Sequence, residues 1–192
     1  VVPLLSFVHF LARPIQGPDF LGKIQRDHME KNKNFDRRTI MSFQILGTGS
    51  FAPEKIVTND DLSHMVETSD EWITKRVGVK QRHVCTTETA TDMGVAAARR
   101  ALENSGVKPE ELDMIIAATI SADTISPGLA GMVQNRIGAH CPCFDINVAC
   151  PGFLYALDVA DGFFVRGRVK KVLVVSAERM SGLIDWTDRS TC

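Results

Sequence analysis

The chain lacks a surplus of charge of either sign. Its 22 basic and 23 acidic side chains leave a formal net charge of -1 over 192 residues. Bulk electrostatics therefore draws it to neither nucleic acid nor a membrane surface, and any partner has to be recognised by a local site. Also missing is an apolar run of membrane-spanning length. The apolar opening Val1 to Ala12 falls well short of the ~18 residues that mark a bilayer-crossing helix, and no basic segment precedes it, which argues against a signal peptide. The five cysteines, Cys85, Cys141, Cys143, Cys150 and Cys192, lack the dense, even spacing of a secreted disulfide framework, so a reducing, cytoplasmic setting is expected. Cys141 and Cys143 have no second Cys or His pair at ligand spacing, and His9, His28, His64, His83 and His140 do not cluster, so no metal site is expected. There is no internal repeat and no low-complexity segment.

What is present divides into two regions. Residues 1–40 pass from the apolar opening into a polar, irregular stretch with Lys31-Asn32-Lys33-Asn34 and Arg37-Arg38, which has neither helical nor strand period. They are expected to form a poorly ordered extension, either translated upstream sequence or a targeting or interaction arm. From Met41 to Cys192 strands and helices alternate. Phe43 to Gly47 reads as a strand, Asn59 to Val66 and Ser69 to Val77 as short helices, and Thr91 to Ser105 as a longer helix ended by Gly106. Thr68 and Glu71 have the spacing of a capping box at the start of the helix bearing Trp72. Asp113 to Thr119 and Lys171 to Ser176 are continuous apolar runs, the pattern of strands covered on both faces. The helix from Pro151 is expected to bury Phe153, Leu157, Ala160 and Phe164. The whole reads as α/β, with helices packed against a central sheet.

Two features bear on chemistry. Gly47-x-Gly49-x-x-Ala52 fits a dinucleotide fingerprint, but that motif must open a helix and Pro53-Glu54-Lys55-Ile56-Val57 does not read as one. The glycines are therefore assigned to a strand end and a tight turn. Cys150 ends the apolar run from Cys143 and precedes the amphipathic stretch Pro151 to Leu157, at a strand-to-helix elbow. Unpaired N–H groups and the positive end of a helix dipole favour the thiolate there, which makes Cys150 a candidate nucleophile. A buried core cysteine is the other reading of its position.

The string Phe144-Asp145-Ile146-Asn147-Val148-Ala149-Cys150-Pro151-Gly152-Phe153, with Tyr155-Ala156-Leu157 and Asp185-Trp186-Thr187-Asp188-Arg189-Ser190-Thr191 after it, closely resembles β-ketoacyl-acyl-carrier-protein synthase III. Ile45 to Pro53, Thr68 to Ile73, Arg76 to Val79 and Gln81-Arg82-His83 extend the resemblance from about Met41 to Cys192. It implies the amino-terminal half of a thiolase-like α/β fold with a mixed central sheet, truncated at Cys192. It also implies an acyltransferase that starts fatty acid synthesis. Cys150 would take the acyl group of an acyl-coenzyme A primer, acetyl-CoA foremost. The acyl group would then condense with malonyl-acyl-carrier-protein and release carbon dioxide. The coenzyme A thioester is a substrate, and no cofactor is implied.

On the same resemblance Trp72 and Arg189 match positions that hold the adenine of coenzyme A between an indole and a guanidinium, and Thr68 and Arg76 match nearby nucleotide contacts. Lys75, Arg76 and Arg82 are expected to help dock acyl carrier protein. The His and Asn that assist decarboxylation match nothing in this sequence. Ser126 departs from the bulky aromatic of some members, so the primer length is not specified. A homodimer is expected of the full-length enzyme, with neither nucleic acid nor membrane as partner. Two alternatives stand beside this reading. One is another thiolase-fold synthase, of hydroxymethylglutaryl-CoA or polyketide type; the other is a non-catalytic interaction fragment.

Overall fold

The apolar run after Asp113 becomes a strand, Met114–Ala118, in which all five residues are buried. In the computed structural model, which describes residues 9–14 and 43–191, Met114, Ile116 and Ala118 face one apolar cluster while Ile115 and Ala117 face another. Side chains alternate across a strand, so a run apolar at every position fits only where helices cover both faces. Val172–Ser176 follows the same rule. Both strands begin and end within a residue of the runs read from the sequence.

In chain order the described elements are β1 (His9–Pro14), β2 (Phe43–Gly49), β3 (Ile56–Thr58), α1 (Asn59–Ser63), α2 (Asp70–Val77), β4 (Gln81–His83), α3 (Ala90–Ser105), β5 (Met114–Ala118), α4 (Leu129–Ile137), β6 (Cys143–Ile146), α5 (Gly152–Val165) and β7 (Val172–Ser176). The main sheet has the order β2-β1-β7-β5-β6. β5 is parallel to both β6 and β7, and β1 is antiparallel to both β2 and β7, so the sheet is mixed as expected. α3 and α4 cover one face, with Val95, Ala98, Leu102, Leu129 and Val133 in its cluster. α5 covers the other through Ala156, Ala160 and Phe164. Phe153 and Leu157 are only partly buried there; the inward line of α5 runs through Gly152, Ala156, Ala160 and Phe164. β3 and β4, with α1 and α2 between them in the chain, form a separate two-stranded antiparallel sheet, whose cluster of Val57, Leu62, Ile73 and Val84 is backed by Trp72 and Trp186.

The position of residues 1–40 outside the fold does not hold for His9–Pro14. These six residues are a strand paired with β2 throughout and with β7 at Phe10, Leu11 and Ala12, and Ala12 is fully buried. Strand pairing at this sequence distance leaves no local period to read. Residues 1–8, 15–42 and 192, and with them the rest of the expected extension, lie outside the described residues.

Two further expectations are corrected. Gly49 does end its strand, β2, but Gly47 lies inside it and neither glycine makes a tight turn. A Cβ at Gly49 would come 2.2 Å from the Ala97 carbonyl oxygen and one at Gly47 2.8 Å from that of Ala101, so both glycines let β2 lie against the backbone of α3. The capping box at Thr68 does not form either. Ser69 is the N-cap of α2, accepting from Trp72 N, while Thr68 Oγ1 has no hydrogen-bond partner. Reciprocal boxes occur instead at Thr58 with Asp61 and at Thr89 with Asp92. α3 ends, as read, at Gly106, which takes the left-handed conformation at φ 70°. Among the described residues no helix is long and apolar enough to cross a membrane.

Candidate active site

β6 ends at Ile146, four residues before Cys150, and the chain turns through Asn147 to Pro151 into α5. Val148 N donates to Ile146 O at 3.1 Å and Gly152 N to Ala149 O at 2.9 Å, which folds the turn back on itself. The next link, Tyr155 N to Pro151 O at 3.0 Å, is helical. Pro151, the N-cap, provides no side-chain acceptor, so the amides of the first turn keep the unpaired donors that every helix start carries. A Cβ at Gly152 would lie 3.0 Å from the Ala118 Cβ. The head of α5 is thereby seated against the carboxyl end of β5, with Cys150 exposed beside it. Crevices at the carboxyl ends of parallel strands are where open α/β sheets bind ligands.

The other described thiols differ from Cys150. Cys141 is buried, and burial pushes its thiol up from the ordinary range, with Cys143 and Asp113 adding to the effect. Cys143 is partly buried and is pushed the same way, by burial first and then by Asp145. Cys85 is also partly buried, with Sγ 3.8 Å from Met93 Sδ. Cys192 lies outside the described residues.

Around the elbow, three carboxylates fasten the neighbouring loops. Asp145 of β6 accepts from Leu129 N at 2.6 Å and Ala130 N at 2.7 Å, pinning the start of α4. Asp123 accepts from Ala90 N at 2.9 Å and Thr91 N at 2.8 Å at the start of α3. Glu178 accepts from Ile120 N at 2.9 Å, from Thr119 Oγ1 at 3.2 Å and from Ser121 Oγ. Ser121 Oγ in turn accepts from Arg179 N at 2.7 Å, so the loops leaving β5 and β7 are tied together. These positioning groups escaped the sequence reading, since a lone acid in or after a strand carries no local signal of a partner 15 to 59 residues away.

A second cluster forms around Trp72. Asp70 accepts from Asn59 Nδ2 at 2.7 Å and Lys80 Nζ at 2.9 Å, fixing α2 to the head of α1 and to the residue before β4. The Arg76 guanidinium carbon lies 4.0 Å from the centroid of the Trp72 ring and that of Arg189 4.9 Å, both within cation–π range. Arg189 is carried there by the segment after β7, where Trp186 packs against the cluster of Val57, Leu62, Ile73 and Val84 and donates Nε1 to Ser181 O at 3.2 Å. Three of the four expected coenzyme residues, Trp72, Arg76 and Arg189, are thus brought together, and half-buried Thr68 precedes the same helix by two residues. Arg82 is corrected: it is buried and donates Nη1 to Val57 O at 3.3 Å, because the β3–β4 pairing turns it inward, and it cannot join Lys75 and Arg76 on a docking surface. Nδ1 of His83 lies 2.6 Å from Pro53 O and that of His64 2.8 Å from Asp60 O, while His140 is exposed.

Among solved structures, the chain is similar to 3-oxoacyl-[acyl-carrier-protein] synthase III from Aquifex aeolicus VF5. The two share 48% identity at a TM-score of 0.75, over 77% of this chain and 48% of that one. It is also similar to the priming β-ketosynthase of the R1128 polyketide pathway, at 38% identity and a TM-score of 0.74, over 77% and 45%. A mixed sheet between helical layers, with an exposed cysteine at the head of the helix that follows β6, makes this the fold of the thiolase-like condensing enzymes. Among curated relatives, β-ketoacyl-[acyl-carrier-protein] synthase III of Clostridium acetobutylicum is 51% identical over 152 residues, 79% of this chain and 47% of its own length. That of Ehrlichia canis is 50% identical over 150 residues, 77% and 47%. A family model described as 3-oxoacyl-[acyl-carrier-protein (ACP)] synthase III matches residues 144–192. Residues matching these relatives make the chain similar to part of a β-ketoacyl-acyl-carrier-protein synthase III, and it spans about half the length of the curated relatives it matches.

Proposed function

We propose that this chain carries the acyl-accepting part of a β-ketoacyl-acyl-carrier-protein synthase III, with Cys150 as its nucleophile. The Cys150 thiolate attacks the thioester carbonyl of an acyl-coenzyme A. A new S–C bond forms, the bond to the coenzyme sulfur breaks, and coenzyme A leaves as a thiolate that takes up a proton. Covalent capture splits one difficult transfer into two steps. Donors at the head of α5, the Cys150 amide among them, stabilise the oxyanion that develops in the first. In the second step malonyl-acyl-carrier-protein loses carbon dioxide, and the resulting enolate displaces Cys150 from the acyl carbon. No residue of this chain is assigned to drive the decarboxylation. The single observation that carries the reading is the contrast among thiols: Cys150 is exposed at a helix head, whereas burial pushes up Cys141 and Cys143.

Trp72, Arg76, Arg189 and Thr68 form the nucleotide end of the coenzyme site. Arg189 swings outward from the indole so that an adenine enters between them, stacked on one side and facing a planar cation on the other. Lys75 and Arg76, both exposed, contribute to docking the acidic carrier protein. The full-length enzyme is a cytoplasmic homodimer. Supporting the dimer, β6 lies at the edge of the sheet, with Phe144 on it and Leu154 and Tyr155 on α5 all exposed. The likeness to a polyketide priming ketosynthase favours one second reading, in which Cys150 keeps its role and the acceptor differs.

The test is intact mass of the protein after incubation with acetyl-coenzyme A. One added acetyl group, removed by neutral hydroxylamine and absent from Cys150→Ser, is expected. An adduct of equal yield on Cys150→Ser contradicts the assignment.

A further inference from the structure

The carbonyl that ends β6 is shared between two segments. Ile146 O accepts from Val148 N at 3.1 Å, the first bond of the turn that leads to Cys150, and from the amide of Thr119, the residue after β5, at 3.2 Å. The far end of the same turn rests on β5 as well, because Gly152 packs against Ala118, where a Cβ would lie 3.0 Å from the alanine methyl. Cys150 therefore sits between two supports, and both belong to the end of β5. The parallel ladder stops there, with Ala118 paired to Ile146 on one side and Ser176 on the other. Beyond it the tie to the segment leaving β7 is made by side chains. Thr119 is buried; its hydroxyl donates to Glu178 Oε2 at 3.2 Å and accepts from Ser121 N at 3.1 Å. Glu178 also accepts from Ile120 N on Oε1 at 2.9 Å and from the Ser121 hydroxyl on Oε2. Asp123 and Asp145 turn their oxygens instead to the starts of α3 and α4.

We propose that Thr119 and Glu178 are positioning residues for acyl transfer. Their bond holds the end of β5 and, through Ile146 O and Ala118, fixes the aim of the Cys150 sulfur and of the first amides of α5 at a thioester carbonyl. The proposal rests on the reading of Cys150 as acyl acceptor and extends it to two residues that act through the backbone. Acyl transfer requires the sulfur, the carbonyl carbon and the oxyanion donors in one geometry, and a small displacement of any of them slows it. Alkylation by iodoacetamide requires less. The thiolate forms one S–C bond, iodide leaves, and no oxyanion has to be held. Comparing the two reactions at the same sulfur separates its aim from its exposure.

The test follows Cys150 by peptide mapping in both reactions, on the unaltered 192-residue chain and on Thr119→Val, Thr119→Ser and Glu178→Gln. At saturating acetyl-coenzyme A, acetylation of Cys150 in Thr119→Val is expected to be slower on the order of tenfold or more, with the half-saturating concentration and the iodoacetamide rate unchanged. Glu178→Gln is expected to move in the same direction by less, and Thr119→Ser, which keeps the hydroxyl, to restore most of the rate. Acetylation of Thr119→Val at the unaltered rate, or acetylation and alkylation falling in equal proportion, overturns the proposal. If Thr119→Val does not fold, Glu178→Gln decides, and an unchanged ratio of the two rates in that variant is the contrary result. An unaltered chain whose Cys150 takes no acetyl group fails at the earlier step, the choice of nucleophile, and removes both readings.

Discussion

Trp72 has two guanidinium groups over its ring, and they do different work. Arg76 sits one helical turn along on α2, so the pairing is local and the sequence shows it. Arg189 arrives from the far end of the chain, and nothing at residues 185–191 announces that destination apart from the family resemblance. Arg189 is exposed and outside the apolar clusters, so Arg189→Ala is expected to leave stability unchanged and to weaken acyl-coenzyme A binding. Loss of a cation–π contact at an exposed site is worth about 0.5–1 kcal/mol, roughly two- to fivefold in affinity. Trp72→Ala removes the stacking face and is expected to cost more. Calorimetric titration with acyl-coenzyme A measures both, and unchanged affinity in the pair removes the coenzyme assignment. Gly49 carries a steric prediction of a different kind. Its Cβ would meet the Ala97 carbonyl oxygen at 2.2 Å, so Gly49→Ala forces β2 away from α3. Overpacking of this sort costs about 1–3 kcal/mol, and a midpoint of urea unfolding equal to that of the unaltered chain contradicts it.

The elements show where local pattern suffices. β5 and β7 were legible because strands buried on both faces have to be apolar throughout, and α3 because Gly106 stops it. The start of α2 was misread by one residue. Thr68 has the acidic Glu71 three positions on, which is the box spacing, whereas Ser69 has Trp72 there, and spacing alone does not say which hydroxyl turns toward the helix. At α3 the box is genuine. Asp92 accepts from Thr89 N at 2.9 Å, from Arg136 Nη1 of α4 at 2.6 Å and from Thr89 Oγ1 at 2.7 Å. The Thr89 amide and the Arg136 guanidinium lead in holding its carboxyl down from 3.8 to about 2. A carboxyl depressed in the folded state stabilises it above the unfolded pKa, and that contribution disappears as the pH falls through about 2. Asp92→Asn is therefore expected to be less stable than the unaltered chain at pH 6, with the difference shrinking between about pH 4 and pH 2. Urea unfolding at stepped pH measures it; a difference that stays constant down to pH 2 contradicts the assignment of the linkage to Asp92.

For the whole molecule, the layered α/β plan and the cysteine elbow could be read from residues 41–192, because each depends on runs of ten residues or fewer. What could not be read depends on contacts between distant segments: β1 slotted between β2 and β7, Arg82 turned inward by its pairing with Val57 on β3, and Glu178 and Ser121 tying two loops together. The central claim is the choice of Cys150 among the thiols: of the four described, the layers bury Cys141, half-cover Cys85 and Cys143, and leave Cys150 at the head of α5. Peptide mapping after incubation of the 192-residue chain with a limiting amount of isotopically labelled acetyl-coenzyme A tests it most directly. The account expects the label as a thioester on the peptide containing Cys150, with Cys85, Cys141, Cys143 and Cys192 each far below it. Label that accumulates on any of those four while sparing Cys150 would contradict it.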